Sequence, residues 1–467
     1  MRRVATIVLA VILSGCAVGP NYKRPAITAP PQFRGVFDPA QTPSSASLAD
    51  TKWFDLFKDD KLTDLVNTAL AQNYDLRIAS ARVIEARSQL GIQRSNLFPT
   101  LSANAEFATA RTSTTGSVSF IPRGINTDVS YTQTGFSLGW ELDVWGRIRR
   151  LTEAARAQYF ATEEARRGVI TTLVGDVSSS YFALREADLE LDIARKTRGI
   201  AENGLRLTTL RRDRGVATSL DVHQAEQFLY TATSRIAAAE RVMEQTENLL
   251  SLLIGKNPSD IPRGKILTDF TVPPRIPAGV PSALLERRPD IREAEATLVA
   301  ANANIGAARA LYFPRITLTG ILGVQSRALT SLFTGPARTW NVLPEATVPI
   351  FNAGRIRSGV RFTEAQRQEA AASYGKAIQT AFREVSDALI GYRKISEERA
   401  SEELLVKALT DTDRLSQLRY RGGLDSYLQV LDAERNLFQG ELDLARLRRD
   451  ELISIVSLYR ALGGGWQ

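Results

Sequence analysis

Two periodicities alternate along this chain. Ile170, Val174, Val177, Tyr181, Leu184, Ala187 and Leu191 step by three and four, and so do Tyr374, Ile378, Phe382, Val385, Leu389 and Tyr392, as in helices that bury one face. Ahead of each stripe the period falls to two. Phe136, Leu138, Trp140 and Leu142 alternate with Ser137, Gly139, Glu141 and Asp143, and Ile316, Leu318, Gly320, Leu322 and Val324 alternate in the same way, which predicts strands with one apolar and one polar face. Val342, Pro344, Ala346, Val348 and Ile350 supply a partner strand, although Pro344 and Pro349 weaken it. No proline falls between Arg147 and Gly215, so the helix after the first hairpin can run on the order of 100 Å.

The chain states this grammar twice. Asp75-Leu76 through Leu90-Gly91 matches Asp290-Ile291 through Ile305-Gly306, and Phe98-Pro99 matches Phe313-Pro314, at an offset of 215. Farther on, Gly146-Arg147 pairs with Gly354-Arg355, Val177 with Val385, Gly215 with Gly423, Ala225-Glu226 with Ala433-Glu434 and Gly255 with Gly463, all at an offset of 208. A constant offset over so long a stretch means helices of equal length. The change falls between Pro99 and Gly146, where strands and a surface loop tolerate it.

The predicted organisation follows. Residues 1–15 are a signal segment and 16–60 an extended arm rich in proline. The first repeat, 61–257, comprises a helix, a β-hairpin at about 99–145, a long helix, a tip turn at about 214–218 and a return helix. A proline-rich crossing segment, 258–284, leads to the second repeat, 285–463, with its hairpin at about 314–352 and tip turn at about 421–425; residues 464–467 are a tail. Each return helix spans about half of its long helix, and the helix before the strands is about the missing length, so the two short helices are expected to stack end to end beside the long one. The arm and the crossing segment are expected to wrap the helices.

Arg2, Arg3 and the apolar run Val4 to Leu13 form an export signal too short to span a bilayer. It closes with Leu13-Ser14-Gly15-Cys16, and Cys16 is the only cysteine of the 467 residues, which points to lipidation and rules out an internal disulfide. No other apolar stretch approaches the roughly 20 residues of a membrane helix, so any crossing must be made by strands. Hydrocarbon penalises an open sheet edge, so the barrel must close, and about eight strands is the small end of what closes. Four strands per chain therefore demand an oligomer, of two chains or of three. Trp140, Trp145, Trp340, Phe98, Phe313 and Phe351 lie near the strand ends, consistent with aromatic girdles.

Net charge of +8 is spread along helical stretches and gives nucleic-acid binding little support. His223 is the only histidine, which leaves no imidazole metal cluster, and no nucleophile elbow or phosphate-binding glycine loop appears. His223 is expected on a helix surface. Neither an enzyme nor a resident cofactor or metal is indicated.

Cys16-Ala17-Val18-Gly19-Pro20-Asn21-Tyr22 with Arg24-Pro25, Trp140-Glu141-Leu142-Asp143-Val144-Trp145-Gly146-Arg147, Glu286-Arg287-Arg288-Pro289-Asp290-Ile291, Phe313-Pro314 and Ala461-Leu462-Gly463-Gly464-Gly465-Trp466 together resemble the TolC and OprM-like outer-membrane efflux factors, more closely their lipoprotein (NodT-type) branch. The resemblance implies a mainly α fold with a small β part: long antiparallel helical hairpins forming a trimeric tunnel, and four strands per chain contributing to a shared twelve-stranded transmembrane barrel. It also implies a lipid-anchored protein of the outer membrane reaching into the periplasm. Its role would be to conduct exported small molecules passively, with a periplasmic adaptor and an inner-membrane pump of the resistance-nodulation-division type as partners. A type I secretion duct or a periplasmic helical scaffold lipoprotein is the alternative.

By the same resemblance, Leu428, Asp432 and Arg435 fall on periplasmic gate positions. Their spacing of four and three puts them on one helical face, and symmetry copies of Asp432 would form an acidic ring that binds cations and resists full ionisation. The first repeat has Leu220, Gln224 and Gln227 there, so the two tips differ chemically. Asp221, Tyr420 and Asp425 fall on tip positions: Asp221 is expected to pair with a basic group or Tyr420, while Asp425 stands where some relatives carry a basic residue. Gly215-Val216 and Gly423-Leu424 match turns against which the adaptor docks.

Overall fold

A computed structural model describes residues 17–26, 30–35, 47–50, 57–111, 128–271 and 279–465. The signal segment, Cys16, Trp466 and parts of the arm and the crossing segment lie outside them. Helices α1 (Asp60–Gln72) and α2 (Tyr74–Ser95) lead to strands β1 (Thr100–Arg111) and β2 (Asp128–Leu142), then to α3 (Arg147–Asp213) and α4 (Ser219–Leu253). A turn of helix at Leu284–Arg287 precedes α5 (Pro289–Ala310), β3 (Arg315–Ser326), β4 (Arg338–Thr347), α6 (Arg355–Arg421) and α7 (Tyr427–Ala461). The paired elements match in length: α3 and α6 have 67 residues each, α4 and α7 have 35, and α2 and α5 have 22. No described helix is long and apolar enough to cross a membrane.

The contacts divide the chain into two units. The first takes in the described parts of Met1–Pro25, Val83–Ala161 and Ala294–Ser373. Its sheet has the order β1-β2-β3-β4 with every neighbouring pair antiparallel. Here the arm lies against the helices, as expected. Arg150 donates to the Val18 and Gly19 carbonyls and to Asn21 Oδ1 (2.8 Å), and Asn302 donates to the Pro20 carbonyl. Arg24 forks onto Glu295 with both contacts at 2.6 Å. Gly19 and Gly306 bring two backbones together, since a Cβ on Gly19 would stand 2.4 Å from Gly306 Cα.

The second unit takes in the described parts of Ala26–Arg82, Thr162–Glu293 and Tyr374–Gln467. The helix expected near Asp75 to Leu97 is α2, and α1 is an additional helix set off from it at Asn73, which leaves helical geometry (ψ 133) while its side chain accepts the Leu76 N–H. Asn73 Nδ2 also donates to the Leu253 carbonyl at the end of α4 (2.9 Å), and Arg288 Nη1 donates to the Ala461 carbonyl at the end of α7 (2.9 Å). Thus the start of each short helix meets the end of a return helix, as the end-to-end reading expected. Asp59 caps α1 through the Lys61 and Leu62 N–H groups, and its other oxygen takes the Tyr181 hydroxyl and the Lys265 N–H. One buried carboxylate therefore ties α1, α3 and the crossing segment together. Helices α4 and α7 pack through Ala225, Phe228 and Ile236 against Val430, Leu431 and Phe438.

Candidate functional site: a two-faced sheet and two helical tips

The strand register sorts the side chains. Leu101, Leu138, Gly320 and Val342 are cross-strand partners, as are Ala103, Phe136, Leu322 and Trp340, and Trp140, Leu318 and Pro344. All stand on one face, because paired residues and second neighbours share a side. The other face carries Ser102, Ser137, Thr319, Thr339, Gln133 and Gln325. Phe136, Leu322 and Trp340 are 55%, 65% and 74% exposed, so the chain's own packing does not cover this apolar face. Among the described residues, β1 and β4 each pair on one side only. The aromatics near the strand ends behave differently from one another. Phe98, Trp340 and Phe351 are exposed, whereas Trp145 stacks on Phe313 (centroids 4.9 Å) and donates to the Pro314 carbonyl, and Trp140 donates to the Leu97 carbonyl.

Both tips are glycine turns at helix ends. Gly215 and Gly423 each have φ +73, and the next residue's N–H, Val216 or Leu424, closes back on the Arg211 or Arg419 carbonyl. Val216 (74%) and Leu424 (71%) project into solvent. A Cβ on either glycine meets nothing within 4 Å, so conformation alone requires glycine there. Gly423→Ala is expected to cost about 1 kcal/mol locally, read as faster amide exchange over residues 418–424 with the rest of α6 unchanged.

Asp221 does not reach Tyr420. Its carboxylate accepts from the Thr218 N–H and hydroxyl (2.8 Å each), while the Thr218 hydroxyl accepts the Asp221 N–H: a capping box at the start of α4. Tyr420 instead packs under the Arg211 guanidinium at 4.3 Å and beside Tyr427. Asp425 pairs with Arg419 on its own tip (2.6 and 3.0 Å), and that pairing holds the Asp425 carboxyl below its usual range. Leu428 and Asp432 are exposed, and Asp432 accepts from Asn436 (3.3 Å). Arg435 turns away to α4 and donates to Gln227 Oε1 at 3.0 Å. The structure thereby brings together the two residues that the 208 offset pairs. His223 is exposed and meets Glu226 at 2.8 Å. Spacing alone gave no sign of the clamp formed by Arg150 and Glu295, nor of the Asp59 junction.

The family model for "Outer membrane efflux protein" matches residues 65–256 and 280–464, which is most of the chain. The chain belongs to the outer membrane efflux protein family. The Pseudomonas putida solvent efflux pump outer membrane protein SrpC is 39% identical over 459 residues, covering 98% of this chain and 97% of the relative. The Escherichia coli cation efflux system protein CusC is 35% identical over 464 residues, covering 98% of each. Among solved structures, the open-state outer membrane channel MtrE of Neisseria gonorrhoeae superposes with a TM-score of 0.87 at 33% identity, covering 97% of this chain and 99% of that one. This efflux protein is an outer-membrane channel component and not an enzyme. Its mainly helical fold with a small four-stranded sheet is the fold of those channels.

Proposed function

We propose that the efflux protein is the passive exit duct of a tripartite assembly. Three chains share one twelve-stranded barrel, and their paired helices enclose a tunnel that meets a periplasmic adaptor and an inner-membrane pump of the resistance-nodulation-division type. The supporting observation is the sheet. A bare apolar face beside two one-sided edges is untenable in water and, as an open sheet, untenable in lipid. Joining β4 of one chain to β1 of the next removes every edge and leaves the apolar face to hydrocarbon and the polar face to the lumen. The matched lengths of α3 with α6 and of α4 with α7 support two repeats within each chain.

In this reading Cys16 carries the lipid anchor. Ala17 directly follows it, and a Cβ on Gly146 would meet Ala17 Cα at 2.8 Å, so the anchor emerges at the foot of β2, level with the membrane face. Asp432 with Arg435 and Leu428 forms the constriction at the tips, and Gly215-Val216 and Gly423-Leu424 present exposed apolar side chains to the adaptor. Asp221, Tyr420 and Asp425 hold the tip turns in shape through the contacts described above.

Light scattering and planar-bilayer recording of the full-length protein purified in detergent test this. The expected result is a particle of three chains with small, infrequent conductance, raised several-fold by Asp432→Ala with Arg435→Ala, because both the acidic ring and the Arg435–Gln227 bond are lost. A single-chain particle that stays silent with both substitutions would instead mark a periplasmic scaffold.

A further inference from the structure

The foot of the sheet is chemically lopsided. In the first half of the chain two carboxylates serve the start of α3. Glu141 accepts from Arg147 Nε (2.9 Å) and Nη2 (2.8 Å), and Asp143 accepts the Ile148 and Arg149 backbone N–H groups at 2.8 Å each. Two hundred and eight residues later the counterpart of Arg147 is Arg355, but Glu141 and Asp143 are replaced by Pro349 and Phe351. Arg355 therefore has no carboxylate partner among the described residues, and neither does Arg315 at the start of β3. Both arginines are exposed.

The two arginines line one cavity with Trp145, Phe313, Leu311 and Ile356. Its aromatic wall is fixed, since Trp145 is stacked on Phe313 at an interplanar angle of 25° and tethered through its Nε1–H to the Pro314 carbonyl at 2.7 Å. Glu141 and Asp143 also reach the lining, with Arg147 and Arg149 neutralising them. A planar guanidinium fork matches a carboxylate, and a fixed ring face matches another ring. We propose that this cavity binds small aromatic organic anions, with the carboxylate on Arg315 and Arg355 and the ring against Trp145 and Phe313. The source is a molecule in transit and not a lipid headgroup. Arg315 is opposite Thr347 and two residues from Thr317, on the polar face, which is the lumenal face if the duct reading holds.

Equilibrium dialysis of the full-length protein in detergent, with 2-naphthoate and the neutral 2-naphthalenemethanol as ligands, tests the proposal. The anion is expected to bind about tenfold more tightly than the neutral analogue, and Arg315→Gln with Arg355→Gln to erase that difference. Pro349→Glu, which restores the carboxylate of the first half beside Arg355, is expected to weaken naphthoate binding as well, and bilayer conductance shows that each variant is assembled. Equal affinity for the two ligands, or undiminished naphthoate binding in the conducting double variant, overturns the proposal while the duct reading stands. Displacement of naphthoate by phosphatidylglycerol nanodiscs at equal sensitivity in wild type and Pro349→Glu also overturns it. A protein that binds naphthoate selectively but never conducts would retain the site and sink the duct.

Discussion

Leu322→Arg is expected to abolish assembly in the outer membrane, whereas Thr319→Arg, three residues away on the same strand, is expected to leave it intact. Leu322 is in the middle third of β3, paired with Phe136 and Trp340 on the apolar face, and Thr319 is opposite Gly139 and Leu343 on the other face. An arginine facing lipid near the bilayer midplane costs about 2–4 kcal/mol. Three chains closing one barrel would incur that cost three times, which is comparable with the whole stability of an ordinary domain, about 5–15 kcal/mol. A lumenal arginine stays hydrated and incurs almost none of it. The check is the SDS-resistant oligomer in the outer-membrane fraction, lost for Leu322→Arg and retained for Thr319→Arg. If both variants assemble, or if neither does, the two faces are not lipid and lumen.

The two faces were legible in the sequence because a half-buried or half-lipidated sheet must alternate. Phe136, Leu138, Trp140 and Leu142, then Ile316 to Val324, fall on the same face of β2 and β3. Helix lengths were legible as a constant offset, since two copies of 67 residues admit no insertion. The partner choices at the tips were not. Asp221 has Thr218 three residues away and Tyr420 across the tip, and spacing does not decide between them. The capping box decides it, because a helix start leaves backbone N–H groups that a nearby side chain satisfies at little entropic cost. Asn73 illustrates the same limit: the cap its side chain makes to the Leu76 N–H sets α1 off from α2, and no periodic signal announces it. The arm clamp was out of reach because Arg24 and Glu295 are far apart in sequence and carry no periodic signal.

Glu434 is expected to make the tip region less stable as pH rises. It is one of the residues matched at the 208 offset, yet its counterpart Glu226 meets His223 near the surface while Glu434 is largely buried on α7. Its Oε2 has no hydrogen-bond partner among the described residues. Burial, and then the charge of Asp413 on α6, push the Glu434 carboxyl from 4.5 up to about 7. Gln417 holds Asp413 through two contacts of 3.1 Å, Lys196 of α3 attracts it, and Tyr427 feels the Glu434 charge. Between pH 4.5 and about 7 the folded carboxyl keeps its proton while the unfolded one loses it. The unfolded state then binds fewer protons, and stability falls with rising pH across that window by on the order of 3 kcal/mol. Above it the deficit is constant. Glu434→Gln keeps the shape, removes the charge and should abolish this slope, leaving the variant more stable than wild type at pH 8 and little changed at pH 4. Because a membrane protein held in detergent need not unfold reversibly, the suitable measurement is amide exchange over residues 427–438 at several pH values, corrected for intrinsic rates. Parallel wild-type and Glu434→Gln profiles would show that the carboxyl titrates in its ordinary range. A slope that vanishes in the variant would place a titrating group between Asp432 and Arg435, where α7 faces Asp413 of α6.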